Sequence, residues 1–159
     1  MSATNTVYEP EKGFDLAATC KGAGDRPLKW QRTIKPGAPA TDRLPLDFRD
    51  ALPATDNAPG CAYACTEIIS DADRTAALFG KADDTLALWV NGKPVEFKGG
   101  TGEFQDIDEG KAVVRLQKGR NRVMAKVCEK WLYWLLALRL AEEDGTPLTQ
   151  GVTISAGAP

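Results

Sequence analysis

The chain has 159 residues, 43% of them hydrophobic and 26% charged, with a formal net charge of −2 at pH 7. This composition is typical of a single globular domain that is large enough to bury a core. Its basic residues are scattered, whereas a surface that neutralises nucleic-acid phosphates needs clustered Lys and Arg. No apolar run approaches the length of about 18 residues that a membrane helix requires. We therefore expect neither nucleic acid nor membrane as a partner.

The sequence contains no histidine. This excludes catalysis by Ser-His-Asp or Cys-His groups and any metal site with histidine ligands. Glycosidase chemistry would need two carboxylates held about 5–10 Å apart across a cleft, and nothing in the sequence singles out such a pair. The sequence therefore predicts a protein that is not an enzyme.

The N-terminal third of the chain carries weak signals. Residues 1–12 are polar and are predicted to be a flexible lead-in, with one domain spanning residues 13–159. Residues 13–35 contain weak strand patterns. Five prolines fall within residues 36–60, and frequent proline disfavours both long helices and central strands. This proline-rich segment is expected to wrap around a core that the rest of the chain supplies.

From residue 61 onward, short apolar segments alternate with turn signals at a spacing of about ten residues, as in an all-β sandwich or barrel. The expected strands are 61–69, 75–79, 86–90, 94–97, 104–107, 111–116, 122–128, 131–140 and 152–154. Residues 131–143 are rich in Leu and Ala and would suit a helix on propensity alone. The spacing of the neighbouring strands and the Asp-Gly turn that follows favour a strand. The predicted fold class is an antiparallel β-sandwich.

One stretch, residues 82–93, shows this organisation most clearly. Leu86, Leu88 and Val90 alternate with other residues, which is typical of a strand with two different faces. Asn91-Gly92 follows at once, and this pair favours a tight type I′ hairpin, since both central residues of that turn need a positive φ.

The four cysteines allow several arrangements. Cys61 and Cys65 lie four residues apart on a predicted strand, hence roughly 13 Å apart, which is too far for a disulfide. Any disulfides should therefore join Cys20 or Cys128 to the Cys61/Cys65 strand. Small buried thiols are an equally good interpretation.

The ordered segments A-Y-A, G-K-A-D-D, L-W-V-N-G-K, L-Q-K-G-R-N-R-V-M-A-K-V, L-R-L and D-G-T-P-L cover roughly residues 61–148. Together they resemble the galactose-binding-like jelly-roll domains that are attached to secreted bacterial glycoside hydrolases. The resemblance implies a jelly-roll β-sandwich with a non-catalytic role, secreted or periplasmic. It implies binding to a polysaccharide or oligosaccharide, in some cases with a structural calcium ion, or packing against neighbouring domains of a larger enzyme.

Aromatic side chains are the natural candidates for a glycan site, because flat rings stack on the apolar C–H faces of sugars. Trp131 and Tyr133 would share one face of their strand beside charged residues, while Trp134 would belong to the core. We expect Trp131 and Tyr133, with Trp30 as a further candidate, to bind glycan. The resulting hypothesis is a carbohydrate-binding module. The alternative is a structural or protein-interaction β-sandwich, with these rings packed in an interface.

Asp83 and Asp84 are weak candidates for calcium ligands, because hard cations prefer carboxylate oxygens. The sequence has no EF-hand pattern, and a second interpretation fits the pair better. Asp side chains often hydrogen-bond nearby backbone amides, so this pair is expected mainly to fix the entry into the strand at residues 86–90.

Overall fold

The computed structural model describes residues 6–22, 25–32, 46–52, 59–102, 109–130 and 133–155. Two short helices are present in these ranges, α1 (Glu9–Lys12) and α2 (Phe48–Ala51). The strands are β1 (Thr19–Lys21), β2 (Pro27–Lys29), β3 (Leu46–Asp47), β4 (Gly60–Ser70), β5 (Arg74–Asp83), β6 (Thr85–Val90), β7 (Lys93–Val95), β8 (Gly110–Leu116), β9 (Gly119–Glu129), β10 (Leu135–Ala141) and β11 (Val152–Ser155). No helix within the described ranges is long and apolar enough to span a membrane.

The strands form two main sheets and one small hairpin. Strands β3-β10-β5-β8 make a four-stranded sheet, β11-β4-β9-β6-β7 make a five-stranded sheet, and β1 pairs with β2. Every strand pairing is antiparallel. The prediction of an all-β antiparallel sandwich is confirmed, and the arrangement is compatible with a jelly-roll.

Alternation along the strands decides what enters the core. On β4, for example, Ala62 and Ile68 point inward, and both belong to one buried apolar cluster. Leu78 on β5 and Leu136 on β10 enter the same cluster from the other sheet. Within the segment that would also suit a helix, residues 135–141 form the strand β10, because their aliphatic side chains pack between the sheets in the period of two that a strand imposes. The strand begins later than the predicted residue 131, since residues 133 and 134 precede it and residues 131 and 132 lie outside the described ranges.

The hairpin predicted at Asn91-Gly92 is confirmed. Both residues have positive φ, 51° and 75°, and they join β6 to β7. The Asn91 side chain also ties the turn to β9, because its Oδ1 accepts the backbone N–H of Arg122 at 2.9 Å. Its Nδ2 donates to Oδ1 of the fully buried Asn121 at 2.9 Å.

The described part of the N-terminal segment lies over the outer face of the five-stranded sheet. Lys126 of β9 is only 1% exposed there. Its ammonium donates to Glu11 Oε1 at 2.9 Å and to the Thr6 carbonyl at 2.6 Å. The Tyr63 hydroxyl donates to the same Glu11 oxygen at 2.5 Å, and the ring of Tyr8 lies 4.9 Å from the ammonium. A buried ion pair thus joins α1 to the sheet.

The cysteine arrangement follows from the register of β4 and β9. Cys61 lies directly opposite Cys128, and the two form a disulfide. Cys20 and Cys65 are free thiols. Burial raises the pKa of the Cys65 thiol to about 11, so this thiol stays protonated and poorly reactive near neutral pH.

Candidate functional site

Tyr133 stands at one end of the sandwich, just before β10. Its side chain is 51% exposed, although the preceding strand β9 is almost entirely buried. The guanidinium of Arg49 lies 5.3 Å from the centre of the Tyr133 ring. An exposed aromatic ring with a cation beside it is a surface on which a flat, weakly polar ligand can stack.

Arg49 is held in place by the start of α2. The Asp47 carboxylate caps this helix, since its Oδ1 accepts the Arg49 backbone N–H at 2.9 Å. The same carboxylate also accepts hydrogen bonds from Nε and Nη2 of the Arg49 guanidinium, at 3.0 and 2.5 Å. These hydrogen bonds lower the pKa of Asp47. The positions of Asp47 and Asp83 are brought together by Leu135, which pairs with both in the four-stranded sheet.

Asp83 and Asp84 connect β5 to β6 at this end, and the peptide bond between them is cis. Asp84 Oδ2 accepts the backbone N–H of Lys130 at 2.6 Å, which ties the connection to the end of β9. Burial raises the pKa of Asp83 to about 6, helped by the hydrogen bond and the charge of Asp84 and opposed by Lys81.

Glu129, the last residue of β9, adds a third carboxylate. It is 8% exposed, and its Oε2 has no hydrogen-bond partner within the described part of the chain. Burial raises the pKa of Glu129, the negative charge of Asp84 raises it further, and Arg49 lowers it. A buried carboxylate oxygen without a donor is costly, which agrees with the raised pKa of Glu129.

The calcium expectation at Asp83 and Asp84 stays a prediction. Among the residues that the structure describes, no group of three or more His, Cys, Asp or Glu side chains is arranged to hold a metal ion. The contact between Asp84 and Lys130 agrees with a role in fixing the backbone. This hydrogen bond is not the local one that was expected, because the partner amide of Lys130 follows β9 and is 46 residues away in sequence.

The remaining aromatic candidates fall in different places. Trp131 lies outside the described residues. Trp134 is buried, and its indole N–H donates to the Val127 carbonyl at 3.0 Å, which agrees with the core position expected for it. Trp30 packs on Phe14, with ring centres 5.3 Å apart.

Trp30 is therefore far from Tyr133. Its partner Phe14 lies over the guanidinium of Arg122, 4.1 Å from ring centre to Cζ. Arg122 and Glu129 are seven residues apart on β9, a separation of about 23 Å along a strand. Trp30 lies near the Arg122 end of β9, whereas Tyr133 follows the Glu129 end, so the two rings do not form one site.

Sequence reasoning missed Arg49 and Glu129. Arg49 lies within the proline-rich segment 36–60, which carries little strand or helix signal, although the Asp47 cap before it is a detectable helix-start signal. Glu129 follows Cys128 at the end of a predicted strand, and its burial depends on the other sheet. Its only sequence signal is a charged residue that directly continues a buried strand.

The Tyr133 end thus combines an exposed ring, a cation fixed beside it, and three carboxyl groups with limited access to water. The aromatic ring can stack on a sugar ring, and carboxylates can accept hydrogen bonds from sugar hydroxyl groups. A scan against family models finds no match, and searches of curated proteins and of solved structures find no similar protein. The fold of this chain is an all-β antiparallel sandwich.

Proposed function

We propose that this protein is a non-catalytic carbohydrate-binding domain, part of a secreted or periplasmic multidomain protein. A saccharide stacks on Tyr133, and its hydroxyl oxygens accept hydrogen bonds from the Arg49 guanidinium. The observation that carries the proposal is the half-exposed Tyr133 ring with the Arg49 guanidinium 5.3 Å from its centre. Sugars offer both an apolar ring face for the aromatic ring and hydroxyl oxygens for the guanidinium, so they match both features at once.

Two further observations support this function. The Cys61–Cys128 disulfide fits an exported protein, because disulfides persist mainly in oxidising compartments. Apart from the adjacent Val7 and Tyr8, the other large apolar side chains exposed in the described residues lie on different strands, such as Leu28 on β2, Val113 on β8 and Ile154 on β11. Scattered exposure of this kind is normal for a free surface and differs from the contiguous patch of a protein-docking face.

The test is affinity electrophoresis in gels that contain galactan, xylan or mixed-linkage glucan, followed by calorimetry with oligosaccharides of the retarding polymer. We expect wild-type protein to be retarded by at least one polymer. Tyr133→Ala should weaken binding by about tenfold, which corresponds to roughly 1.4 kcal/mol, because the stacking surface is lost. Tyr133→Phe keeps the ring and should bind nearly as well as the wild type.

Val113→Ala is the matched control, because Val113 is 49% exposed on the edge strand β8, which β5 separates from β10. It should leave binding unchanged. Absence of retardation in every gel, or an equal loss in Tyr133→Ala and Val113→Ala, would overturn the proposal and favour an interaction domain. Thermal unfolding of each variant checks that a loss of binding does not reflect a loss of fold.

A further inference from the structure

A groove lies at the other end of the five-stranded sheet, between the N-terminal segment and the β6–β7 hairpin. Its volume is about 440 Å³, within the range of roughly 300–1,000 Å³ that small-molecule sites occupy. The groove is lined by Phe14, Glu67, Asn91, Gly92, Arg120 and Arg122. An adjoining smaller cavity adds Trp89 and Met124. Aromatic, cationic and apolar groups therefore share one concave surface.

The two arginines of the groove keep most of their hydrogen-bonding capacity. The carboxylate of Glu67, whose side chain is 4% exposed, is shared between Arg120 at 3.6 Å and Arg122 at 3.4 Å. Both distances are long for charge-assisted hydrogen bonds, which are typically about 2.7–2.9 Å. The Nε of Arg122 is buried and has no hydrogen-bond partner within the described residues, so it is not itself open to a ligand. The side chains of Arg120 and Arg122 are 66% and 39% exposed, which leaves other guanidinium N–H groups facing the groove. Each guanidinium carries five N–H donors, so a bound acceptor has several donors available.

The local charge fits one negative group. Two guanidinium groups and one carboxylate give the groove a net charge of +1. A single carboxylate neutralises this charge, and its planar geometry matches the two parallel N–H groups of a guanidinium. A phosphate group, with a charge of about −1.5 to −2, would exceed the available positive charge and would meet the Glu67 carboxylate.

Contacts within the protein hold the residues that line the groove in place before any ligand binds. The Arg122 guanidinium stacks under the Phe14 ring at 4.1 Å, and the backbone of Arg122 is hydrogen-bonded in both directions to Asn91, at 2.8 and 2.9 Å. Trp89 lies on the same outer face as Met124, its direct cross-strand neighbour. A preorganised site loses little conformational entropy when a ligand binds.

We infer that this groove binds a carboxylate-bearing sugar, such as one uronic acid residue of an acidic glycan. The carboxylate pairs with Arg120 and Arg122, and the ring lies against Phe14 and Trp89. The inference rests on the proposed function for the class of ligand. It adds a second site about 23 Å from the Tyr133 end along β9, with a preference for acidic residues.

The test is calorimetry with short oligogalacturonic acid and with the neutral galacto-oligosaccharide of the same length. Wild-type protein should bind the acidic oligosaccharide more tightly, and this affinity should fall as salt is raised. Arg122→Gln and Arg120→Gln should each weaken binding of the acidic oligosaccharide by about tenfold. Arg120 is 66% exposed, so its variant should fold normally even if Arg122→Gln is less stable.

Arg115→Gln on β8 is the matched control, because it removes an exposed arginine from the other sheet. It should bind as the wild type does. Equal affinity for the acidic and neutral oligosaccharides, an equal loss in Arg115→Gln, or competition by inorganic phosphate as effective as by galacturonate would each overturn the inference.

Tyr133→Ala separates the two proposals. If both are right, this variant loses neutral glycan and keeps the acidic oligosaccharide, whereas Arg120→Gln shows the opposite pattern. If only the Tyr133 proposal fails, neutral binding is absent or insensitive to Tyr133, while acidic binding still depends on Arg120. If only the groove proposal fails, acidic binding is absent or insensitive to Arg120.

Discussion

The buried ion pair between Glu11 and Lys126 gives the sharpest test of how the N-terminal segment is held. Their side chains are 11% and 1% exposed. Burial by itself would raise the pKa of Glu11, but hydrogen bonds from Tyr63, Lys126 and the Tyr8 backbone outweigh it, and the pKa is lowered. The carboxylate is therefore ionised and serves as the counterion of a lysine that has almost no contact with water.

Glu11→Ala removes that counterion and leaves the ammonium buried. Breaking a buried ion pair from one side typically costs about 3–5 kcal/mol. Here the segment can also lift away and let water reach Lys126, so the cost is limited by the free energy that holds the segment down. We expect a loss of about 2–4 kcal/mol in the free energy of unfolding. The double variant Glu11→Leu/Lys126→Met removes both charges and should lose less than the single variant.

Urea denaturation followed by tryptophan fluorescence measures the loss, and amide hydrogen exchange reports whether residues 6–21 have lifted. Lys12→Ala is the matched control, because Lys12 is an exposed neighbour in the same short helix. It should change stability by less than about 0.5 kcal/mol. A loss below about 1 kcal/mol in Glu11→Ala, with exchange protection unchanged, would refute the claim that the pair holds the segment.

Three further outcomes follow from the structure. Replacing both Cys61 and Cys128 by Ala should lower the free energy of unfolding by about 4 kcal/mol, because the disulfide closes a loop with a sequence separation of 67. A thiol titration of the unfolded, unreduced wild type should find two free thiols, and a result of four would contradict the disulfide. Burial raises the pKa of Asp83 from its usual 3.8 to about 6, so its stabilising contribution is complete below pH 4 and is lost as pH rises through 6. Asp83→Asn, which mimics the neutral carboxyl, should therefore raise stability at pH 7.5 by up to about 3 kcal/mol and change little at pH 4, whereas equal effects at both pH values would contradict this. Asn121→Ala should lower the free energy of unfolding, measured by thermal denaturation, by about 2–4 kcal/mol, because the buried amide hydrogen-bonds the backbone N–H and C=O of Gln117 at 2.8 and 2.7 Å. A loss below about 1 kcal/mol would show that water replaces the amide.

Local signals identified most of the strands. The period-two alternation around Leu86 and the Asn91-Gly92 turn depend only on neighbouring residues, and both agree with the structure. The bounds were less accurate. The predicted strand at 75–79 continues through Gly80 to Asp83 in β5, because Gly80 packs against the Ala137 backbone of β10, where a Cβ would meet the carbonyl at 2.1 Å.

The candidate sites depended more heavily on partners that are distant in sequence. Tyr133 was a candidate from its residue type and its charged neighbours, whereas Arg49, which lies against its ring, comes about 80 residues earlier in the chain and is positioned by α2. The sequence did not predict the groove, because Arg120 and Arg122 look like ordinary surface residues of a strand. They line a groove only because the hairpin at Asn91 and the segment at Phe14 pack beside them.

By itself, the sequence determined the all-β character of the chain, the position of its central hairpin and the absence of histidine chemistry, since composition and short-range periodicity encode these properties. The tertiary structure alone decided which cysteines pair, that Lys126 is a buried ion and not a surface charge, and that Trp30 and Tyr133 do not form one site. The physical reason is that strand register and the path of the N-terminal segment bring together residues up to about 120 positions apart. No local pattern encodes contacts over such separations, because they are selected by the packing of the whole sandwich.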